Sequence, residues 1–235
     1  MIRKLLGEAV SATEVTALLR DRTDLERAPR GDGHAVFIAP GLLATDRSTW
    51  LLRRFLADKG YAVEGWGLGR NVGSIEQFDA VRDRLGALAD RSGGPVSVIG
   101  WSLGGVAARY ATAGIPDAVR QIITLGSPFQ VDPRTKALFP AYARLGGVTR
   151  DDFTPERLAA VMETPVVPTT SIASRDDAVV PLEEARQPAG PRAETIEIGG
   201  SHVGLARNAA VWRIIADRLA QPADAWQPYA PGGSV

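Results

Sequence analysis

The run PVSVIGWSLGG at residues 95–105 contains a serine whose neighbours favour nucleophilic chemistry. Ser102 lies between Gly100 and Gly104, after a β-branched apolar stretch that predicts a strand and before a small-residue stretch that predicts a helix. A sharp strand-to-helix turn of this kind strains the serine backbone and exposes its hydroxyl at the C-terminal edge of a sheet. Because a serine hydroxyl is a weak nucleophile at neutral pH, it needs a base to accept its proton.

Histidine is the usual base, and the chain has two. His202 follows a predicted strand, in IEIGGSHVGL at 196–205, so we expect it at the same sheet edge as Ser102. His34 precedes the first predicted strand and comes before the serine in the chain. The sequence therefore favours His202 as the base and a structural role for His34.

A histidine base needs a third group that holds its imidazole and stabilises the cation that forms. Asp176 and Asp177 lie in SRDDAVVP, residues 174–181, directly after another predicted strand. Neighbouring residues of an extended loop point in opposite directions, so only one of these carboxylates can face His202. The other is expected to form the turn.

Two backbone amides are candidates for stabilising a developing oxyanion. The first predicted strand ends in Pro40 and Gly41, and the amide of Leu42 follows it. This amide can point at the same place as the amide of Leu103, the residue after the serine. A simple strand-ending turn is the alternative interpretation of the segment at Leu42.

Strand and helix patterns alternate along most of the chain. This alternation predicts an α/β fold with a mostly parallel sheet covered by helices on both faces. Residues 127–164 interrupt the alternation. The predicted strands are 35–39, 61–66, 96–99, 121–125, 165–174 and 195–198, and the predicted helices are 2–10, 12–20, 48–59, 74–90, 106–111 and 211–219.

A length of 235 residues predicts one α/β domain with a sizeable core. We expect N-terminal helices packed on that core at 1–30, the main domain at 31–221, and an irregular tail at 222–235. The second N-terminal helix has a capping box from Ser11 to Glu14.

Four motifs together resemble the α/β-hydrolase fold family, and within it the small bacterial esterases and lipases. The resemblance runs from His34 to Leu219, and the chain order of serine, aspartate and histidine matches that of the family. The motifs are APGLL (39–43), GWSLGG (100–105), SRDDAVVP (174–181) and GGSHVGL (199–205).

This resemblance implies a three-layer fold in which an insert at about 128–164 forms a helical cap over the active site. A plain helical extension of the core is the alternative interpretation of this insert. It further implies an acyl-enzyme on Ser102, with His202 as base and then acid. It implies Asp177 as the carboxylate, because in the relatives one small residue and Val-Val-Pro follow the acid. Trp101 stands where such enzymes often have histidine. The residues expected to contact substrate are Trp101, Phe129, Phe139 and Tyr142.

Composition excludes several other functions. Lys and Arg total 27, equal to Asp and Glu, so no basic field is expected to hold nucleic acid or anionic lipid. The glycines at 65, 67 and 69 lack the spacing of a dinucleotide fingerprint, and no metal or cofactor site is predicted. The chain has no cysteine, which excludes disulfides, thiolate metal sites and cysteine nucleophiles. It shows no secretory signal or transmembrane stretch, so a cytoplasmic protein is expected.

The expected activity is hydrolysis of a small carboxylic ester with an apolar acyl group. The same acyl-enzyme serves acyl transfer to another acceptor and cleavage of thioesters or amides, so these remain alternatives. A non-catalytic binding module is disfavoured because candidates for all three catalytic groups are present. An idle serine in a glycine-rich turn is the alternative for Ser102, and the sequence implies no particular oligomeric state.

Overall fold

The structure, a computed structural model, describes residues 22–222 and 224–230. The helices predicted at 2–10 and 12–20, with the capping box between Ser11 and Glu14, lie outside the described residues. The first described element is helix α1 (Arg22–Arg27).

Within the described residues, six strands form one sheet in the order β2-β1-β3-β4-β5-β6, and every neighbouring pair is parallel. This arrangement confirms the predicted parallel α/β fold. All six strands therefore deliver their following loops to one edge of the sheet. The strands are β1 (Ala35–Ala39), β2 (Ala62–Gly65), β3 (Val96–Trp101), β4 (Val119–Leu125), β5 (Thr169–Ser174) and β6 (Ala193–Ile198).

Helices lie on both faces of this sheet. Beyond α1, the α-helices of the described part are α2 (Trp50–Asp58), α3 (Ile75–Ser92), α4 (Leu103–Gly114), α5 (Phe139–Gly146), α6 (Pro155–Met162), α7 (Leu182–Ala185) and α8 (Ala209–Ala220). The apolar residues of α1, α2 and α8 share one core cluster, and those of α3 and α4 share another. The result is three layers, helix, sheet and helix, as the resemblance implied.

Alternation along the strands divides the apolar residues between these two layers. In β1, Val36 and Ile38 pack with α2 and α8, whereas Phe37 packs with α3 and α4. In β3, Val98 faces α3 and α4, whereas Ile99 faces the opposite layer. Each such side chain contributes about 1.5–3 kcal/mol on full burial, so both layers are firmly attached to the sheet.

Element boundaries differ from the predicted ones where proline or pairing decides them. β5 begins at Thr169 instead of 165, because Pro168 lacks the N–H that a central strand needs. β4 begins at Val119, two residues early, because Val119 pairs with Val96. The short helix α7 is absent from the prediction.

The insert between β4 and β5 is helical. It contains a short 3-10 helix (Pro133–Thr135) followed by α5 and α6. Helix α6 packs against α4, the helix that follows Ser102. The insert therefore lies over the C-terminal edge of the sheet, on the side of Ser102.

The C-terminal segment 224–230 contains neither helix nor strand. Its Tyr229 packs against the core, and the Tyr229 amide donates to a Glu194 carboxylate oxygen at 2.8 Å. In the part of the chain that the structure describes, every helix is too short or too polar to cross a bilayer.

Candidate active site

Ser102 occupies a strained turn between β3 and α4. Its backbone has φ 53° and ψ −124°, and its amide donates to the Leu125 carbonyl at 2.8 Å. A Cβ at Gly100 would overlap the backbone of Gly105, and a Cβ at Gly104 would overlap the carbonyl of Ala39. The two flanking glycines are therefore required by close backbone approach, and the backbone of the serine is strained in the way that is typical of functional positions.

His202 reaches the serine from the loop after β6. Its Nε2 lies 2.9 Å from Ser102 Oγ, and its side chain is only 2% exposed. Gly200, with φ 123°, provides the backbone conformation that turns this loop towards the serine. The histidine carbonyl accepts a hydrogen bond of 3.1 Å from the indole N–H of Trp101. Both the side chain and the carbonyl of His202 are therefore held by the end of β3 and the turn that follows it.

Asp177 holds the other ring nitrogen. Its Oδ2 lies 2.6 Å from His202 Nδ1, and its Oδ1 accepts from the amides of Val179 and Val180, each at 2.8 Å. A carboxylate can only accept here, so Nδ1 carries the hydrogen and Nε2 is free to take the serine proton. The pair is buried, with 2% exposure for the histidine side chain and 1% for the aspartate.

Asp176 has a different position. It is exposed, and its Oδ2 accepts from the Gly200 amide at 3.1 Å. Of the two carboxylates left open by the sequence, the structure brings only Asp177 to the histidine.

Gly126, which the sequence analysis did not single out, packs directly against the histidine and aspartate. It follows β4 with φ 52°, and a Cβ on it would lie 3.0 Å from Asp177 Oδ2 and 3.3 Å from His202 Nδ1. A side chain here would displace one of the two groups. The only sequence signal was a glycine directly after a predicted strand.

Leu42 and Leu103 lie at the base of the same cavity as Ser102. Gly41 brings the Leu42 segment against the serine, since a Cβ on Gly41 would lie 3.2 Å from Ser102 Cβ. Leu103 opens helix α4, whose N-terminus carries a positive partial charge. These two backbone positions can therefore face the oxygen of a carbonyl group placed against Ser102 Oγ.

A cavity of about 490 Å³ extends from Ser102 under the helical insert. Its walls are mainly apolar and include Phe139 and Tyr142, as expected. The charged residues along it are paired: Lys136 contacts Glu184, and Arg157 lies 3.6 Å from Asp152. The remaining apolar lining comes from α3, α4, the insert and the loop after Asp177, and includes Ile75, Phe78, Val106, Phe153, Leu158, Val161, Met162, Val179 and Val180.

Two of the expected substrate contacts lie outside this cavity. Trp101 continues the face of β3 that packs with α2 and α8, and its ring lies 6.0 Å from the His202 ring. Phe129 is fully buried beneath the guanidinium of Arg109, 3.9 Å from the ring centroid. The structure thus corrects the prediction for both: Trp101 supports the histidine loop from behind, and Phe129 belongs to the base of the insert.

Tyr142 is a wall residue held in place by its hydroxyl. The hydroxyl donates to the Gly73 carbonyl at 2.7 Å. Burial raises the pKa of Tyr142 to about 12, so the phenol stays neutral near neutral pH.

Arg109 is a buried charge that the sequence analysis passed over. From α4 it donates to the carbonyls of Val161 at 2.5 Å and Glu163 at 2.6 Å, and to the side-chain oxygen of Gln187 at 2.7 Å. Burial lowers its pKa to about 9, which leaves the guanidinium charged at neutral pH. Arg109 therefore ties the end of α6 to the helix that follows Ser102. A lone charge in the apolar stretch VAARYA was the available signal.

His34 belongs to a separate polar cluster beside the N-terminal end of β3. Its Nε2 lies 2.8 Å from Ser97 Oγ, and its Nδ1 contacts Asp32. Ser97 is fully buried and does not line the cavity that contains Ser102. Burial lowers the pKa of His34. This placement fits the structural role expected for His34.

Several solved structures share this fold. They include a monoacylglycerol lipase from Paleococcus ferrophilus (TM-score 0.62, 16% identity, 82% of this chain and 96% of that chain). A structure from a report on the metagenome-derived lipolytic enzymes LipS and LipT has TM-score 0.61 and 17% identity, covering 81% of this chain and 93% of that chain. A pyrethroid hydrolase from Sphingobium faniae JZ-2 has TM-score 0.57 and 18% identity, covering 82% and 99%.

At these identities the likeness establishes the α/β-hydrolase fold. A search of curated proteins gives no match. The profile of one domain family matches residues 76–213, which is more than half of the chain and includes Ser102, Asp177 and His202. The chain is thus a member of the PGAP1-like alpha/beta domain family.

Proposed function

We propose that the protein is a serine hydrolase that cleaves carboxylic esters through an acyl-enzyme on Ser102. The observation that carries the proposal is the chain of contacts from Ser102 Oγ to His202 Nε2 at 2.9 Å and from His202 Nδ1 to Asp177 Oδ2 at 2.6 Å. This is the arrangement of nucleophile, base and orienting acid that acyl transfer requires.

In the first step, His202 Nε2 takes the Ser102 proton while Oγ bonds to the ester carbonyl carbon. The carbonyl π electrons move to the oxygen and give a tetrahedral oxyanion. The amides of Leu42 and Leu103 donate to that oxygen. Asp177 stabilises the imidazolium without taking its proton.

The following steps release the alcohol, hydrolyse the acyl-enzyme and regenerate the serine. The imidazolium gives its proton to the departing alcohol oxygen as the carbon–oxygen bond breaks, which leaves the acyl group on Ser102. His202 then takes a proton from water, and the resulting hydroxide attacks the acyl carbon. Collapse of the second tetrahedral species releases the carboxylic acid and returns the proton from Nε2 to Ser102 Oγ.

The cavity supports an uncharged substrate with an apolar acyl group. Its volume of about 490 Å³ is typical of a small-molecule site, and its charged residues are already paired with each other. We therefore propose esters of short to medium acyl length. The structural neighbours include lipolytic enzymes, a monoacylglycerol lipase and a pyrethroid hydrolase, which supports ester cleavage as the proposed reaction.

The test is hydrolysis of p-nitrophenyl acetate, butyrate, octanoate and palmitate by the purified protein, with Ser102→Ala as the inactive control. We expect turnover that is highest for one of the first three esters and is abolished in Ser102→Ala. Addition of a small alcohol separates hydrolysis from acyl transfer, because transfer gives a new ester in place of the acid. Turnover that is highest for the palmitate would refute the proposed acyl length, and turnover that persists in Ser102→Ala would refute the proposed serine chemistry.

A further inference from the structure

The glycine-rich loop at 67–73 takes no part in the proposed chemistry, yet it holds the backbone segment that carries Leu42. The loop follows β2 and lies beside residues 40–44, which follow β1. Asn71, near the end of the loop, is fully buried. A buried amide side chain in a loop needs hydrogen-bond partners, and those of Asn71 lie in 40–44 and at Gly73.

Asn71 binds the segment on both sides of Leu42. Its Nδ2 donates to the Pro40 carbonyl at 2.8 Å. Its backbone carbonyl accepts from the Leu43 amide at 2.7 Å, and its backbone amide donates to the Ala44 carbonyl at 2.9 Å. None of these bonds uses the Leu42 amide, so the direction of that N–H is fixed by its neighbours while the N–H itself stays available.

The segment needs such support because its backbone is strained. Leu43 has φ 62°, a left-handed conformation that a branched side chain rarely adopts. Its side chain is 44% exposed, so little core burial offsets the strain. Strained residues persist when the surrounding structure over-determines them, and here the bonds to Asn71 provide that constraint.

The loop that carries Asn71 is itself fixed. Asn71 Oδ1 accepts from the Gly73 amide at 3.0 Å, and Gln77 Oε1 accepts from the Val72 amide at 2.9 Å. The Tyr142 hydroxyl of helix α5 donates to the Gly73 carbonyl at 2.7 Å. The loop is therefore a rigid support that also contacts the helical insert.

We propose that Asn71 is a positioning residue for the oxyanion site, acting by holding 40–44 so that the Leu42 amide faces the carbonyl oxygen of the substrate. This inference rests on the proposed ester hydrolysis at Ser102. Loss of the Asn71 side chain frees the Pro40 carbonyl and the Gly73 amide. The main-chain bonds of residue 71 to Leu43 and Ala44 then no longer suffice to fix the direction of the adjacent Leu42 amide. The consequence falls on the transition state, where the oxyanion exists, and spares binding of the neutral ester.

The test compares Asn71→Asp and Asn71→Ala with the wild type and with Ser74→Ala. The aspartate variant keeps an acceptor for the Gly73 amide but places an oxygen, in place of the Nδ2 donor, opposite the Pro40 carbonyl. The alanine variant removes both side-chain bonds. Ser74→Ala removes the hydroxyl that caps α3, which accepts from the Gln77 amide at 3.2 Å, and controls for a local loss of stability in the same segment.

Two kinds of measurement separate positioning from folding. The first is kcat and KM on the best p-nitrophenyl ester, with active sites counted by fluorophosphonate titration, so that misfolded protein does not enter kcat. The second compares two inhibition constants. One is for an alkylboronic acid, which forms a tetrahedral adduct on the serine, and the other is for the carboxylic acid product, which forms no such adduct.

For both Asn71 variants we expect kcat per titrated site to fall on the order of 10²-fold, near the effect of losing one oxyanion donor. We expect boronic acid affinity to fall with it, while KM and product inhibition change less than about threefold. Ser74→Ala should keep kcat per site within about threefold of the wild type. Unchanged kcat per site in the Asn71 variants of an active enzyme overturns the role of Asn71 alone. A wild type that cleaves no ester overturns the proposed function and this inference with it.

Discussion

Exchange of Asp177 for asparagine tests the orientation of the histidine. In the structure, one carboxylate oxygen accepts from the amides of Val179 and Val180 and the other accepts from His202 Nδ1. Asparagine has a single side-chain oxygen. If it keeps the two backbone amides, its NH₂ group faces His202 Nδ1, which must then be unprotonated. The hydrogen moves to Nε2, and the ring can no longer accept the Ser102 proton.

The opposite orientation of the asparagine amide is the costly one. It would point an NH₂ group at two buried backbone donors, and each unsatisfied donor costs ~1–3 kcal/mol. This orientation is disfavoured by about 2–6 kcal/mol in total. Asp177→Asn should therefore keep its fold and lose on the order of 10⁴ in kcat, the magnitude seen for a wrong imidazole tautomer.

Asp176→Asn is the matched control. Asp176 is exposed and accepts one bond from the Gly200 amide, which an asparagine oxygen can also accept. We expect its kcat to stay within about tenfold of the wild type. The assay is steady-state hydrolysis of the best p-nitrophenyl ester, with urea unfolding to verify stability. A large loss of kcat in Asp176→Asn, together with a nearly normal kcat in Asp177→Asn, would refute the reasoning.

Three further predictions follow from the structure. His202→Ala should cost on the order of 10⁶ in kcat, because catalytic groups that act as a unit fail together, whereas His34→Gln should change kcat less than about threefold; the reverse pattern would reassign the base. Arg109→Met should lower the free energy of unfolding by about 3 kcal/mol in urea titrations, since it leaves one buried and two partly buried oxygens without the guanidinium donor. The exposed Arg192→Met should cost under about 1 kcal/mol, and equal effects of the two variants would contradict the anchoring role of Arg109. Because burial holds the pKa of His34 below its ordinary 6.5, the folded state binds fewer protons than the unfolded state just below that pH. The free energy of unfolding, measured by urea titration, should therefore fall as the pH drops through this range, and the fall should be smaller in His34→Gln. The same pH dependence in the wild type and in His34→Gln would contradict this assignment.

The sequence predicts the centre of the site well because local patterns encode it. Ser102 and His202 each follow a strand of recognisable composition, and parallel strands bring the loops after them to one edge. The residues alone do not distinguish Asp176 from Asp177, because the two carboxylates are adjacent in the same predicted loop. Only the position of Val-Val-Pro in the resemblance favours Asp177. In the structure, the contact of Asp177 with His202 Nδ1 distinguishes it from Asp176, which binds the Gly200 amide instead.

Other features depend on contacts between distant segments, which no local pattern encodes. Asn71 acts on residues about thirty positions earlier in the chain, and Arg109 donates to carbonyls more than fifty positions later. Trp101 is expected at the substrate site because it stands where the relatives often have histidine, but side chains alternate along β3 and the indole faces the opposite layer. Aromatic content alone also did not separate Phe129, beneath Arg109, from Phe139 in the cavity wall.

The most direct test of the central claim is intact-mass analysis of the protein after treatment with a fluorophosphonate. An activated serine attacks this reagent quickly, whereas an ordinary serine does not. We predict that the wild-type protein gains the mass of a single adduct, that peptide mapping places it on Ser102, and that Ser102→Ala gains none. Labelling of His202→Ala should be strongly slowed, because the base is lost. Absence of an adduct on the folded wild type, or an adduct that persists in Ser102→Ala, would contradict the account.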